Sequence, residues 1–406
     1  MVAQTPFWKL AAFIGATVAV WLVLWLVHPW LFGSGILLAT VAAAVVGCRI
    51  LVREHRPQLR PGGVNPLLHA TSAADFEELL DDSGDLVEQM IKQGRYALLL
   101  RPQIASNLAP DQKAAVMERL DEQMALVPNG EVVLKASRHD ASDDDRDAKS
   151  HERVVHVEAL FLDRYPVTNK QFKAFVSAGG YEQISLWDPT VWPAILDFTD
   201  STGHSGPRFW KNGTFLPGQG DHPVVGICWY EACAYARWVG KRLPSDPEWV
   251  KAGAWPVAVP GGKPLQRKHP WGDTMNRSLA NLWTTGLGHT VSVHEMHNGG
   301  TVGGIYQLVG NVWEWTTSNF GAWDPAMRRL ESPTQMKSIR GGAFDTYFET
   351  QANCQFQSGD CPIARKRNIG FRCAISVCDL GNLNGAESHM DGLEHDEPSP
   401  EALASV

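Results

Sequence analysis

Cysteine is scarce in this sequence, and no cysteines are spaced as zinc ligands are. Seven occur in 406 residues: Cys48, Cys228, Cys233, Cys354, Cys361, Cys373 and Cys378. A chain this long needs no disulfide staples, so buried free thiols are the expectation. Basic charge is also short. Lys and Arg number 36 against 44 Asp and Glu, for a net charge of -8. No basic face with interleaved aromatics is visible, which removes nucleic acid from the expected partners. Internal repeats are absent. What the chain does have is 16 Trp and 37 Gly. Twelve of the Trp start at Trp187, suggesting a loop-rich fold pinned by large aromatic anchors.

Residues 7–52 are almost unbroken apolar sequence, interrupted by His28-Pro29-Trp30 and Gly33-Ser34-Gly35. That length suits two spans of about 20 residues each, a transmembrane hairpin. Lys9 before the first span and Arg49, Arg53, Arg56 and Arg60 after the second would put both ends in the cytoplasm. The expected location is thus the inner (plasma) membrane, multi-pass, with a cytoplasmic domain. One long tilted span with the domain outside is the alternative. Residues 53–126 read as a linker and helical spacer. Phe76, Leu79, Leu80, Leu86, Met90 and Ile91 lie on one helical stripe, and Val116, Leu120 and Met124 on a second that starts at Pro110. Asp140 to Asp147 is a charged run. Residues 379–406 read as a disordered acidic tail.

Between them, residues 127–378 carry mixed α+β signals. Val155, Val157, Ala159 and Phe161 alternate as in a strand. Thr168 caps a helix with Phe172, Phe175 and Val176 on one face. A second helix follows Trp229 and ends at Gly240, and a third opens at Pro244-Ser245-Asp246, with Glu248 completing a capping box.

Six motifs then occur in order. They are Tyr165-Pro166-Val167-Thr168-Asn169, Gly240-Lys241-Arg242-Leu243-Pro244 with Glu248-Trp249, Pro270-Trp271-Gly272, Gly310-Asn311-Val312-Trp313-Glu314-Trp315, Arg340-Gly341-Gly342 and Gly370-Phe371-Arg372. Together they resemble the formylglycine-generating enzyme (sulfatase-modifying factor) family over Val127 to Val377. The resemblance implies an irregular, C-type-lectin-like α+β fold. It also implies an oxidase that binds copper(I) through two cysteines shortly after the Arg-Gly-Gly motif, because a soft ion selects soft thiolates. Here those positions hold Thr346 and Gln351, which cannot replace thiolates. Copper is therefore not expected. Cys354 is the nearby displaced candidate, against a structural role for Cys354 and Cys361.

The resemblance also implies that the same segment lines a ligand groove, here with Phe344, Asp345, Tyr347, Glu349 and Gln351, a polar-aromatic set that would suit a protein or peptide. The alternative is that its aromatics are core. Calcium is admitted by the resemblance through Gln307, the carbonyls of Gly310 and Val312, and Glu314. A second family calcium position would use Asn281 and the carbonyl of Leu282. His289, His294 and His297, with Glu295, are the densest metal-like cluster. The family's iron relatives use a His-x3-His-x-Glu pattern that this chain lacks, so iron is not expected. Two function classes stay open: a non-catalytic ligand- or protein-binding module, or a metal-dependent oxidoreductase, either of formylglycine-generating type or a non-haem iron enzyme.

Overall fold

The structure, a computed structural model, describes residues 84, 86–135, 152–321 and 335–381. Helix α1 (Pro110–Gln123) opens on a proline, whose fixed φ suits a first turn, and Gln112 reaches back to the Ala109 N–H at 3.1 Å. Helix α2 (Asn169–Ser177) has a reciprocal cap. Thr168 Oγ1 accepts from the Gln171 N–H, and Gln171 Oε1 accepts from the Thr168 N–H. In α3 (Trp229–Trp238) Glu231 accepts from the Cys228 N–H, and in α4 (Asp246–Ala254) Glu248 accepts from the Ser245 N–H.

The strands among the described residues are β1 (Met124–Val127), β2 (Gly130–Lys135), β3 (Glu152–Val157), β4 (Leu160–Asp163), β5 (Trp313–Asn319), β6 (Lys337–Arg340), β7 (Gln357–Asp360), β8 (Ile369–Gly370) and β9 (Ala374–Ser376). They form three small sheets, ordered β1-β4-β9, β2-β3 and β7-β6-β5-β8, antiparallel except for β5 with β8. The single alternating strand expected over 155–161 is two strands. β3 pairs with β2, and β4 pairs with β1 and β9, so the chain changes partner at Glu158-Ala159.

Aromatic anchors fill the largest core. Phe172 and Phe175 of α2 meet Tyr235 and Trp238 of α3, with Phe371 and Trp210 alongside. A second core sets Trp249 of α4 against Leu134, Leu162, Leu308 and Cys354. A third packs Val116 and Leu120 of α1 with Phe161, Ile375 and Leu380.

Buried ion pairs tie distant segments together, and most use the motif residues. Arg372 grips Glu314, Arg340 holds Asp246, Arg365 holds Glu231, and Lys241 holds Asp163. Their role is scaffolding, and breaking one leaves a charge stranded in the interior.

The expected inner-membrane location is corrected. Among the described residues no helix is long and apolar enough to cross a membrane. The hairpin at 7–52 lies outside the described residues, as do the charged run at 140–147, Phe76, Leu79 and Leu80 of the first stripe and residues 382–406 of the tail.

Candidate functional site

The segment after β6 is shaped by two glycines. Gly341 and Gly342 both have positive φ, and a Cβ on Gly341 would stand 2.2 Å from the Leu308 carbonyl oxygen. Only glycine lets the chain pass Leu308 so closely. Arg340 anchors the start of this segment: it donates to Asp246 at 2.8 Å and to the Gln355 carbonyl at 2.9 Å.

Thr346 is buried at the heart of the turn that follows. Its hydroxyl accepts from the Ala343 N–H at 2.8 Å, and its N–H donates to the Ala343 carbonyl. It acts as a turn former. Gln351 is half-buried at the end of the short 3₁₀ turn Glu349–Gln351. Cys354, the displaced thiolate candidate, is wholly buried in the second core. Its Sγ lies 3.0 Å from where a Cβ on Gly253 would sit. Burial pushes its thiol well above the ordinary range, with Arg340 only partly opposing. A thiol held neutral in apolar surroundings is a poor ligand and nucleophile, so Cys354 is corrected to a core residue. The six cysteines among the described residues are all unpaired.

Four of the five groove candidates reach solvent: Asp345, Tyr347, Glu349 and Gln351. Phe344 is corrected to the core, with its N–H bonded to the Asn311 carbonyl. Tyr347 and Phe348 are 64% and 60% exposed, and Trp283, 56% exposed, meets Tyr347 edge-on at 6.2 Å. Three large aromatics so open to water in one place are uncommon on a monomer's surface. Glu349, next after Phe348, pairs with Arg277 at 2.5 Å and lines a cleft of about 910 Å³. Trp271, Asp273, Met275, Asn276 and Arg277 form much of its wall. Sequence reasoning took Pro270-Trp271-Gly272 as a fold motif alone. The polar run Asp273 to Arg277 beside it was the available signal for a cleft.

His269 lies beneath that wall. It is 1% exposed and stacks on Trp271 at 5.2 Å with ring planes 4° apart, and neither ring nitrogen has a hydrogen-bond partner within normal geometry. Burial pulls its pKa below the ordinary histidine value, helped by Lys268 and opposed by the Ala352 backbone, Asp273 and Glu349. A depressed histidine keeps the folded state neutral while the unfolded chain takes up protons first. Stability is therefore complete above the unfolded value of about 6.5 and is lost as pH falls through it toward the folded pKa. His222, lowered by burial in the same way, adds to this. A His269→Phe variant keeps the stack, so its denaturation midpoint should fall less steeply than wild type between about pH 7 and pH 5. Parallel slopes would mean that His269 titrates normally.

The histidine cluster does not converge. His294 meets the edge of Tyr165 at 5.0 Å and His297 that of Tyr306 at 5.0 Å, while His289 Nδ1 lies 2.8 Å from the Thr290 carbonyl. Among the described residues no three His, Cys, Asp or Glu side chains could hold one ion.

The calcium candidates also stand apart in their chemistry. Both oxygens of Glu314 are taken, by Arg372 Nη2 at 2.7 Å and by Arg372 Nε and Trp249 Nε1 at 2.8 Å each. Gln307 turns its NH₂ to the Ser292 and Glu295 carbonyls, and the Gly310 carbonyl accepts from the Val312 N–H. The donors present are not those that the family's copper(I), or the calcium admitted by the resemblance, would take.

Comparison with known proteins places this geometry. Residues 111–377, more than half of the chain, match the family described as sulfatase-modifying factor enzyme 1-like domain. Hercynine oxygenase of Mycolicibacterium thermoresistibile is 34% identical over 245 residues, 55% of this chain and 52% of that protein. Serine/threonine-protein kinase pkn1 of Chlamydia caviae is 28% identical over 321 residues, 75% of this chain and 47% of that protein. Inactive C-alpha-formylglycine-generating enzyme 2 of Bos taurus is 31% identical over 261 residues, 57% of this chain and 82% of that protein. The chain spans about half the length of the first two of these relatives. By the extent of the family match and the ordered motifs that make its scaffold, the chain belongs to the sulfatase-modifying factor enzyme 1-like domain family.

Proposed function

We propose that this chain is a non-catalytic binding module that keeps the family fold, in its C-type-lectin-like form, and holds a peptide at the cleft and aromatic surface. The observation that carries this reading is the pair Thr346 and Gln351, with Thr346 buried as a turn former and Cys354 buried behind it. Copper(I) chemistry needs thiolates, and the two family positions hold a hydroxyl and an amide while the Cys354 thiol is buried. Trp283, Tyr347 and Phe348 with Arg277 and Glu349 supply the mixture of apolar anchors and orienting charges that ligand sites use. The bovine relative named as inactive supports the same direction.

The rival is a metal-dependent oxidoreductase, and the hercynine oxygenase relative supports it by name alone. Two assays on purified full chain separate them. Incubated with a cysteine-containing sulfatase peptide, copper(I), a thiol reductant and oxygen, it should form no hydrazine-reactive aldehyde. Peptides enriched on it from a display library should bind at least about tenfold more weakly to Trp283→Ala or Tyr347→Ala, a loss of about 1.4 kcal/mol. Aldehyde formation abolished by Cys354→Ser would sink the binding-module reading.

A further inference from the structure

We propose that a ladder of side-chain amides, which takes up Gln307 and Asn281 of the two calcium positions the resemblance admits, orders the loop from Asn281 to His297 without a metal. Three buried residues form the ladder: Asn281, Gln307 and Asn311. Asn311 Oδ1 accepts from the Val291 N–H at 2.9 Å, and its Nδ2 donates to the Val291 carbonyl at 3.1 Å. A backbone N–H can only donate and a carbonyl only accept, so these two bonds fix which way the Asn311 amide faces. Its Nδ2 then donates to Gln307 Oε1 at 2.7 Å. That fixes Gln307 in turn, and its NH₂ donates to the Ser292 and Glu295 carbonyls at 2.9 and 3.0 Å.

On the other side Asn281 Nδ2 donates to Asn311 Oδ1 at 3.2 Å and to the His289 carbonyl at 3.0 Å. Its Oδ1 accepts from Thr285 Oγ1 at 2.9 Å. Each of the three NH₂ groups makes two hydrogen bonds, and each side-chain oxygen accepts at least one.

The physical point is what the carbonyls meet. A calcium ion gathers about six to eight oxygens around one positive centre. Here the carbonyls of His289, Val291, Ser292 and Glu295 already point at amide N–H groups, which supply the positive partner instead. Gln307 turns its NH₂, which has no lone pair for a cation, to the Ser292 and Glu295 carbonyls, and its Oε1 already accepts from Asn311. Glu314, the only anionic candidate, is already neutralised by Arg372. The backbone is set for the amides as well. Gln307 and Asn311 adopt φ of 53° and 65°, a region that non-glycine residues enter at a cost and asparagine most readily. The hydrogen bonds of the ladder offset that cost.

The test uses the full purified chain, calcium and the chelator EGTA, read by thermal unfolding and by hydrogen exchange of residues 289–297. Wild type should melt within about 1 °C in EGTA and in excess calcium, and its exchange should not change; a specific ion at 100 times its Kd would add about 2.7 kcal/mol. Asn311→Ala should melt lower and exchange faster over 289–297 in both conditions. Asn311→Asp removes two donors and adds a carboxylate, so it should melt lower in EGTA and recover in part with calcium. A wild-type melting point that rises with calcium or falls with EGTA overturns the proposal. So does an Asn311→Ala variant with wild-type exchange over 289–297. If both variants fail to fold, the wild-type comparison of calcium with EGTA still decides.

Discussion

Arg372→Ala is expected to cost about 3–5 kcal/mol and to leave little folded protein at 37 °C. The guanidinium is fully buried, and all its nitrogens are engaged. Two bonds go to Glu314, and three go to the carbonyls of Asp163, Arg164 and Tyr306. Removing it strands the Glu314 carboxylate, with the Trp249 indole as its remaining donor, and takes a donor from each of those carbonyls, of which Arg164 keeps the Tyr306 N–H. A domain's whole stability is about 5–15 kcal/mol, so this single loss takes a large share. Urea denaturation of the full chain measures it. Arg372→Lys should fall between, since one ammonium cannot reproduce a bidentate fork. A Glu314→Leu, Arg372→Met pair should regain part of the loss, because the stranded charge is gone while the donors that Arg372 gave the carbonyls stay missing. If Arg372→Ala costs under about 1 kcal/mol, the pair does not tie these segments together.

This pair also marks where sequence reading stops. Helix starts were legible because capping is local. Thr168 with Gln171 and Ser245 with Glu248 lie three residues apart, and each cap forms as spacing predicts. Glu314 and Arg372 were both visible as motif residues, but they are 58 positions apart, and nothing in periodicity pairs them. Glu314 was therefore read as a calcium ligand. Strand alternation failed at Glu158-Ala159 for a related reason. The pattern records which face is buried, not which neighbour buries it, and β4 is buried throughout. In the site, counting from Arg-Gly-Gly located Thr346 and Gln351 directly. Depth was not legible: Phe344 and Cys354 are core, while Tyr347 and Phe348, of similar chemistry to Phe344, stand in solvent. Whether an aromatic faces in or out here depends on the turn that Thr346 closes, and a hydroxyl-to-amide bond has no periodic signature.

Asp246→Ala is expected to loosen the candidate site as well as the fold. The carboxylate is wholly buried at the first turn of α4, where the helix dipole favours an anion. Its Oδ1 accepts from Thr316 Oγ1 at 2.7 Å. Its Oδ2 accepts from Ser338 Oγ at 2.9 Å, Arg340 Nη2 at 2.8 Å and Gln357 Nε2 at 2.5 Å. Truncation leaves the buried Arg340 without its counter-ion, at a cost of about 3–5 kcal/mol. Asp246→Asn separates charge from shape. Thr316 can rotate its hydroxyl to accept from the new NH₂, while the amide oxygen keeps the other three donors. That variant should lose less, about 1–3 kcal/mol, the share owed to the charge on Arg340. The functional consequence follows from Arg340, which holds both Asp246 and the Gln355 carbonyl and so brackets the segment carrying Tyr347, Phe348 and Glu349. Hydrogen exchange over 341–356 should rise in Asp246→Asn at temperatures where the rest of the domain stays protected, and peptide affinity should fall with it. Exchange that rises uniformly across the domain would assign Asp246 to global stability alone and detach the Arg-Gly-Gly motif from the site.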